Sequence, residues 1–444
     1  MNRTPAARRG GEAGPVIAAI CRESDSAWQA VCALLEHADS QASGDSIGDS
    51  VESVHEHAVA VSAALEQRLT PQGESRSSAV TSYRPIEAAG AIAAIPAAEI
   101  LLSDRALAHA AATALDQLYW PSFTRDWLAE RGTSFELGAG DLYPVGEMRL
   151  MGTVGHSAWP HRLPLRQGEL DHVRRRAVDG TRVRVVGEYA PIIDRLAASP
   201  PLEAAVVLPN ESLTELNLPP NRMGPANSQA QRSTINRLLR EAREAGVDVV
   251  VLPELSVDQD IVEWLSEQWA NAVDLPILFA GSAHLVEDGR RINRTAVLLP
   301  GVGAAWHHDK FTVFEDRDGI REPIDPAEPC ITVGCGHLVR VATLVCKDAL
   351  SVDIASPVAD LGVHLLAVPA MSNTLGEFST AANLLISRSQ GTTVVANNPR
   401  VWDGASVGHA LLGQPVRQTE GRCLERQSLA APDLGIARLG SGWS

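Results

Sequence analysis

An α/β fold is predicted for the second half of the chain, on three observations. Short apolar runs recur there, "AAVVLP", "VDVVVLP", "LPILFAGSA", "RTAVLLPG", "VRVATLVC", "GVHLLAVPA" and "TTVVANN", each of a length that suits a buried strand. Helical stretches at 227–245 and 258–271 separate several of them, and such alternation builds a sheet covered by helices on at least one face. The texture changes at "AASPPLEA", and 444 residues exceed one ordinary core, so two domains are expected, 1–200 and 201–444.

The first domain reads as mainly helical. Its Ala-rich sequence has helix-like stretches near 24–38, 50–69 and 97–118, divided by "SQASGDSIGDS" and "TPQGESRSS". From about Trp120 to Ala198 the pattern is mixed, with a strand predicted at "TRVRVVGEYA" after an Asp-Gly turn signal. Trp120, Trp127 and Trp159 are expected in the N-terminal core. His55 and His57 lack a Cys or acidic partner at metal spacing and are expected on a solvated helix face.

A formal net charge of −16 argues against general affinity for nucleic acid or anionic membrane. The basic run "HVRRRAVDGTRVRVV" is diluted by Asp171 and Asp179 and reads as surface. Six cysteines, Cys21, Cys32, Cys330, Cys335, Cys346 and Cys423, show no paired metal spacing, which suits a reducing, cytoplasmic setting. The short apolar run near the N-terminus is broken by Pro15 and makes a poor signal peptide, and no run approaches a membrane span. No metal and no cofactor are expected.

Functional side chains of α/β sheets gather beyond the carboxyl ends of strands. Glu254 follows "VDVVVLP", Lys310 follows "AAWHHD", and Cys346 ends "VRVATLV". Each residue alone has an ordinary structural explanation. Together they supply one mechanism: a thiol nucleophile, a carboxylate base, and an ammonium that, with the backbone N–H of Lys347, steadies an oxyanion. His307 and His308 are adjacent and should point to opposite sides of an extended segment. No Ser-His-Asp order and no Gly-rich phosphate loop competes.

The ordered strings "VVVLPELS", "HHDKF" and "LVCKDAL", with "FAGSAHL", "RINRTAVLLPG", "GVHLLAVPAMSN" and "SRSQGTTVVANNP" around them, resemble the nitrilase, or carbon-nitrogen hydrolase, superfamily over residues 203–444. The resemblance implies a four-layer α-β-β-α sandwich, assembled as a dimer or larger oligomer. It implies Cys346 as nucleophile, Glu254 as general base and Lys310 as stabiliser of the tetrahedral intermediate. It also implies a second glutamate after the lysine, for which "FEDRDGIREPIDP" offers Glu315 and Glu322, the position before "PIDP" favouring Glu322. Asp348 takes a structural role in this reading.

The chain departs from the family pattern in three places. Asp309 stands where arginine is common, adding a carboxylate near the site. Lys347 is unusual after the nucleophile, its side chain either lowering the Cys346 pKa or pointing to solvent. The strand "AAVVLPNESL" lacks the expected glutamine. The activity implied is hydrolysis of a non-peptide C–N bond, of an amide in preference to a nitrile. Acyl transfer, ammonia supply to a larger regulated system, or an oligomerisation or sensor module are the alternatives. The N-terminal domain matches no known accessory domain and is a candidate partner-binding element.

Overall fold

The computed structural model describes residues 13–41, 83, 85–93, 104–145, 170, 173–176, 180–197, 202–218, 223–315, 319–389, 391–407, 409–413 and 434–439. His55, His57, Trp159, Cys423 and the helix predicted at 50–69 lie outside these. In chain order the first elements are helices α1 (Ala13–Glu23), α2 (Ala27–Gln41), α3 (Pro85–Ala93) and α4 (Asp104–Arg131), then strands β1 (Ser134–Glu136), β2 (Leu142–Pro144), β3 (Val173–Arg175) and β4 (Arg182–Val186). The chain forms two compact units, one of Met1–Arg131, Gly140–Val145 and Pro164–Ala177, the other of Gly132–Ala139, Gly146–Leu163 and Val178–Ser444.

The first unit holds α1 to α4 and the antiparallel pair β2–β3. In α2 the buried residues Ala27, Val31, Leu34, Leu35 and Ala38 fall on one helical face. Ser26 caps that helix by accepting from the Gln29 N–H at 3.1 Å. Helix α4 continues to Arg131, past the mixed texture predicted from Trp120, because Leu115, Tyr119, Phe123 and Trp127 extend its buried face at a four-residue spacing. Phe123 meets Trp28 edge to face, ring centroids 5.8 Å apart.

The second unit is built on two large sheets. After the short helix α5 (Ala190–Ile193) come β5 (Leu202–Val207), the pair β6 (Leu216–Asn217) and β7 (Gly224–Pro225), α6 (Ser228–Glu244), β8 (Val249–Leu252), α7 (Gln259–Ala270), β9 (Ile277–Ala280), β10 (Ala283–Glu287), β11 (Arg290–Leu299) and β12 (Gly303–Asp309). Then follow β13 (Cys330–Cys335), β14 (Arg340–Thr343), α8 (Val352–Asp360), β15 (Leu365–Ala370), α9 (Ser379–Ser389), β16 (Thr392–Asn397), the pair β17 (Val401–Trp402) and β18 (Ala405–Ser406), β19 (Ala410–Gly413) and β20 (Leu434–Leu439). One sheet has the order β1-β4-β13-β14-β15-β16-β19; the other runs β10-β11-β9-β8-β5-β20, with β12 on β11.

Side-chain parity shows how the layers stack. Ala204 and Val206, Val249 and Val251, Ile277 and Phe279, and Val297 and Leu299 share one core with Val341, Leu365, Ala367, Val394 and Ala396 of the other sheet. The intervening Ala205, Val207, Val250, Leu278 and Leu298 form a second core with Ile235 and Leu238 of α6 and Ile261, Leu265 and Trp269 of α7. On the remaining face α9 lies against β16 and β19, and α8 against α9. The result is the four-layer α-β-β-α sandwich that the resemblance implies. All seven apolar runs of the sequence are strands in it.

The division expected at residue 200 is corrected. Strand β4 pairs in parallel with β13, from Arg182 opposite Cys330 to Val186 opposite Gly334, and β1 pairs with β4. The alternation of "RVRVV" buries Val183 and Val185, so this segment belongs to the sandwich. Asp194–Ala197 before the Pro-rich stretch and β5 after it fall in the same unit, so the change of composition there is not a domain boundary. Among the described residues no helix is long and apolar enough to cross a membrane.

Candidate active site

Strand β8 is buried along its whole length, and Pro253 ends it, so the next residue, Glu254, emerges at its carboxyl end. The following turn is held in place: the Glu254 N–H donates to Ala370 O at 3.3 Å, and the Leu255 N–H to Ser282 Oγ at 3.2 Å, with Leu255 at φ 59°. Gly281, at φ +70°, passes against this turn; a β-carbon there would meet the Pro253 carbonyl and lie 2.6 Å from Ser256 Oγ. Gly281→Ala should therefore displace the Glu254 turn and cost at least about 1–2 kcal/mol from the left-handed backbone alone. Thermal unfolding checks this; an unchanged midpoint would show that the turn has slack.

Lys310 follows β12, its N–H donating to Asn293 O of β11 at 2.8 Å. Cys346 opens a tight 3-10 turn, Cys346–Leu350, just beyond β14, and does so at φ 47°. A non-glycine residue in that region is strained, and such strain concentrates where a side chain must be aimed. The two sheets thus deliver Glu254 and Lys310 from one side and Cys346 from the other.

The side chains meet in a buried network. Lys310 Nζ donates to Glu254 Oε1 at 2.8 Å and to Glu322 Oε2 at 2.7 Å. Asn293 Nδ2 donates to Glu254 Oε1 at 2.9 Å and to Glu322 Oε1 at 2.8 Å. Glu322 also receives the Phe314 N–H at 3.2 Å and faces His284 Nε2 at 3.1 Å. The Cys346 thiol donates to Met371 O at 3.8 Å and lies near enough to Glu254 to feel its charge. None of Glu254, Lys310, Glu322, His284, Asn293 and Cys346 is more than 5 % exposed. Of the two glutamates offered by the sequence, Glu322 reaches the lysine, while Glu315 pairs with Arg321 at the surface.

Burial divides these groups electrostatically. It pushes the Glu254 carboxyl up; Lys310 opposes this and Glu322 adds to it. Burial would raise Glu322 too, but Lys310 and the His284 hydrogen bond overcome it and lower its pKa to about 2. Burial would lower Lys310, yet Glu254, Glu322 and Cys346 raise it well above its ordinary value. The Cys346 thiol is raised well above its ordinary value, first by burial and then by Glu254, with Lys310 opposing. At rest this is a neutral thiol beside a carboxylate with raised proton affinity, poised for proton transfer between them.

Asp348 braces the arrangement. Its Oδ2 lies 3.0 Å from His308 Nε2 and its Oδ1 accepts the Thr312 N–H at 2.8 Å. His308 stands two residues before Lys310, Thr312 two after it, and Asp348 two after Cys346, so one carboxylate ties the cysteine turn to the lysine segment. His307 points the other way and is exposed, as the extended segment predicts. Asp309 does not add free charge to the centre, since Arg294 Nε and Nη2 bind it at 2.5 and 2.8 Å. Lys347 Nζ follows neither expected course and donates to Val313 O at 3.2 Å. Among the described residues no group of three or more His, Cys, Asp or Glu side chains is placed to hold a metal ion.

Asn293 and His284 are the site residues that sequence reading misses. Both sit in strings that carry the resemblance, and the signal was a polar residue within a buried strand, which must find a partner.

No protein-family model matches the chain, and no curated protein matches it. Among solved structures the chain is similar to an amidase from Nesterenkonia sp., at 16% identity and a TM-score of 0.39, over 54% of this chain and 90% of that one. A mutant form of the Nesterenkonia AN1 amidase from the nitrilase superfamily matches at 17% identity and a TM-score of 0.37, over 54% and 91%. Saccharomyces cerevisiae Nit3, a member of branch 10 of the nitrilase superfamily, matches at 17% identity and a TM-score of 0.38, over 54% and 89%. These neighbours are nitrilase-superfamily proteins.

Proposed function

We propose that the protein is a carbon-nitrogen hydrolase that cleaves a non-peptide amide through a thioester on Cys346. The observation that carries this reading is the buried convergence of Glu254, Lys310 and Cys346, with Glu322 as the second carboxylate on the lysine. Glu254 takes the thiol proton as Sγ bonds to the carbonyl carbon, so the anionic sulfur never has to persist in the buried site. The oxygen becomes an anion, stabilised by Lys310 Nζ and the backbone N–H of Lys347. Glu254 then returns the proton to the leaving nitrogen, the C–N bond breaks, and the thioester remains. Water, deprotonated by Glu254, attacks the thioester; the carboxylic acid leaves and the thiol is restored.

Intact-mass measurement of the protein with a panel of amides and nitriles tests this reading. An acyl mass on Cys346 with release of ammonia or amine supports it. No adduct and no product across the panel would count against it. With a substrate in hand, the acid limb of kcat/KM should lie above the ordinary glutamate range of about 4.3, because burial and Glu322 raise Glu254 and the base works only when ionised. A limb at or below that range would mean that another group is the base.

A further inference from the structure

The two carboxylates on Lys310 are chemically alike but not equally held. Both share Lys310 Nζ and Asn293 Nδ2. Glu322 has two further donors, the Phe314 N–H and His284. The His284 proton can be placed, because the Met223 N–H donates to His284 Nδ1 at 3.3 Å. A ring nitrogen that accepts carries no proton, so the ring N–H sits on Nε2, directed at Glu322 Oε1. Of the two donors reserved for Glu322, only His284 is a side chain.

We propose that His284 is the positioning residue that makes the two carboxylates unequal: its Nε2–H fixes Glu322 as the standing counter-ion of Lys310 and leaves Glu254 to exchange the proton of Cys346. This rests on the hydrolase reading and deepens it, by assigning the division of labour within the site to a residue on β10 that reaches the centre through Glu322. The charged and titratable groups facing the pair are Lys310 beyond β12, His284 on β10 and Cys346 beyond β14. Removing the His284 donor raises the proton affinity of the carboxylate pair as a whole. The ionised base is then available only at higher pH.

The test compares His284→Asn with His284→Gln in the full chain. Asparagine keeps an acceptor near the Nδ1 position for Met223 but cannot reach Glu322; glutamine carries an amide N–H near the Nε2 position. Both are treated with 2-chloroacetamide over a pH series, and Cys346 alkylation, in which the S–C bond forms and chloride leaves, is followed by intact mass and peptide mapping. The asparagine variant should react about 10-fold more slowly than the parent, with its acid limb moved to higher pH, and the glutamine variant should stay within about threefold. Equal rates and equal pH limbs in parent and both variants would overturn the inference and leave the hydrolase reading standing. If Cys346 of the parent reacts no faster than the other cysteines, the hydrolase reading fails and the inference with it. Should the asparagine variant not fold, glutamine decides alone: a parent-like rate and limb support the donor role, and a lost rate in a folded chain overturns it.

Discussion

Cys346→Ala and Cys346→Ser are expected to abolish turnover and to leave no acyl mass on the protein, with thermal unfolding close to that of the parent. Among the described residues no other nucleophile stands at the centre of the network, whose remaining side chains are the Lys310 ammonium, the Glu254 and Glu322 carboxylates, the Asn293 amide and the His284 ring. Serine keeps the size but presents a hydroxyl whose proton Glu254 cannot take as readily as a thiol's. Either change removes little buried volume, so stability is spared compared with the ~2–5 kcal/mol of a large-to-small core substitution. Product formation by either variant near the parent rate would remove Cys346 from the mechanism.

Lys310→Met is expected to fail in both activity and stability. The ammonium is the shared donor to two buried carboxylates, and removing it leaves them facing each other without a cation. Breaking a buried pair in this way typically costs roughly 3–5 kcal/mol, and loss of one oxyanion donor roughly 10²–10³ in rate. The stability defect should depend on pH, with a sign that can be worked out. In the parent, Glu322 is held to about 2, below its unfolded value, so its contribution is present above about 4.3 and fades as pH falls toward 2. In the methionine variant the folded carboxylates bind protons more tightly than the unfolded chain does. Its stability should fall as pH rises above about 4.3, and the gap to the parent should narrow as pH is lowered toward that value. A gap that is constant with pH would mean that the pair is not buried as described.

The second half of the chain was legible because its strands are buried on both faces. Runs such as "VDVVVLP" and "GVHLLAVPA" admit few other readings, and each delivered its strand. Strand β12, "GAAWHHD", is not among the apolar runs, since its exposed Ala304 and His307 and buried Trp306 and His308 dilute the apolar signal. Strands β1 and β4 lie before the change of texture near residue 200 yet pair into the sandwich, because the pairing of Arg182 with Cys330 spans a separation that no local pattern encodes. At the site, Glu254, Lys310 and Cys346 were visible as ionisable residues at strand ends. Asn293 and His284 were not, because the reason for each is a partner on another strand. The lysine after Cys346 shows the same limit: sequence placed the charge, and only the fold showed its ammonium turned to Val313 O.

In the proposed reaction Glu254 takes the proton from Cys346 and later from water. The most direct measurement is adduct lifetime: parent and Glu254→Gln are pulsed with an activated ester, and the acyl mass at Cys346 is followed with time. Glutamine keeps the shape and can still hydrogen-bond, but it cannot take a proton from water. The predicted result is an acyl-enzyme that persists on Cys346 in the variant and hydrolyses in the parent. An adduct that decays equally fast in both, or that maps to another residue, would contradict the assignment of Glu254 and Cys346.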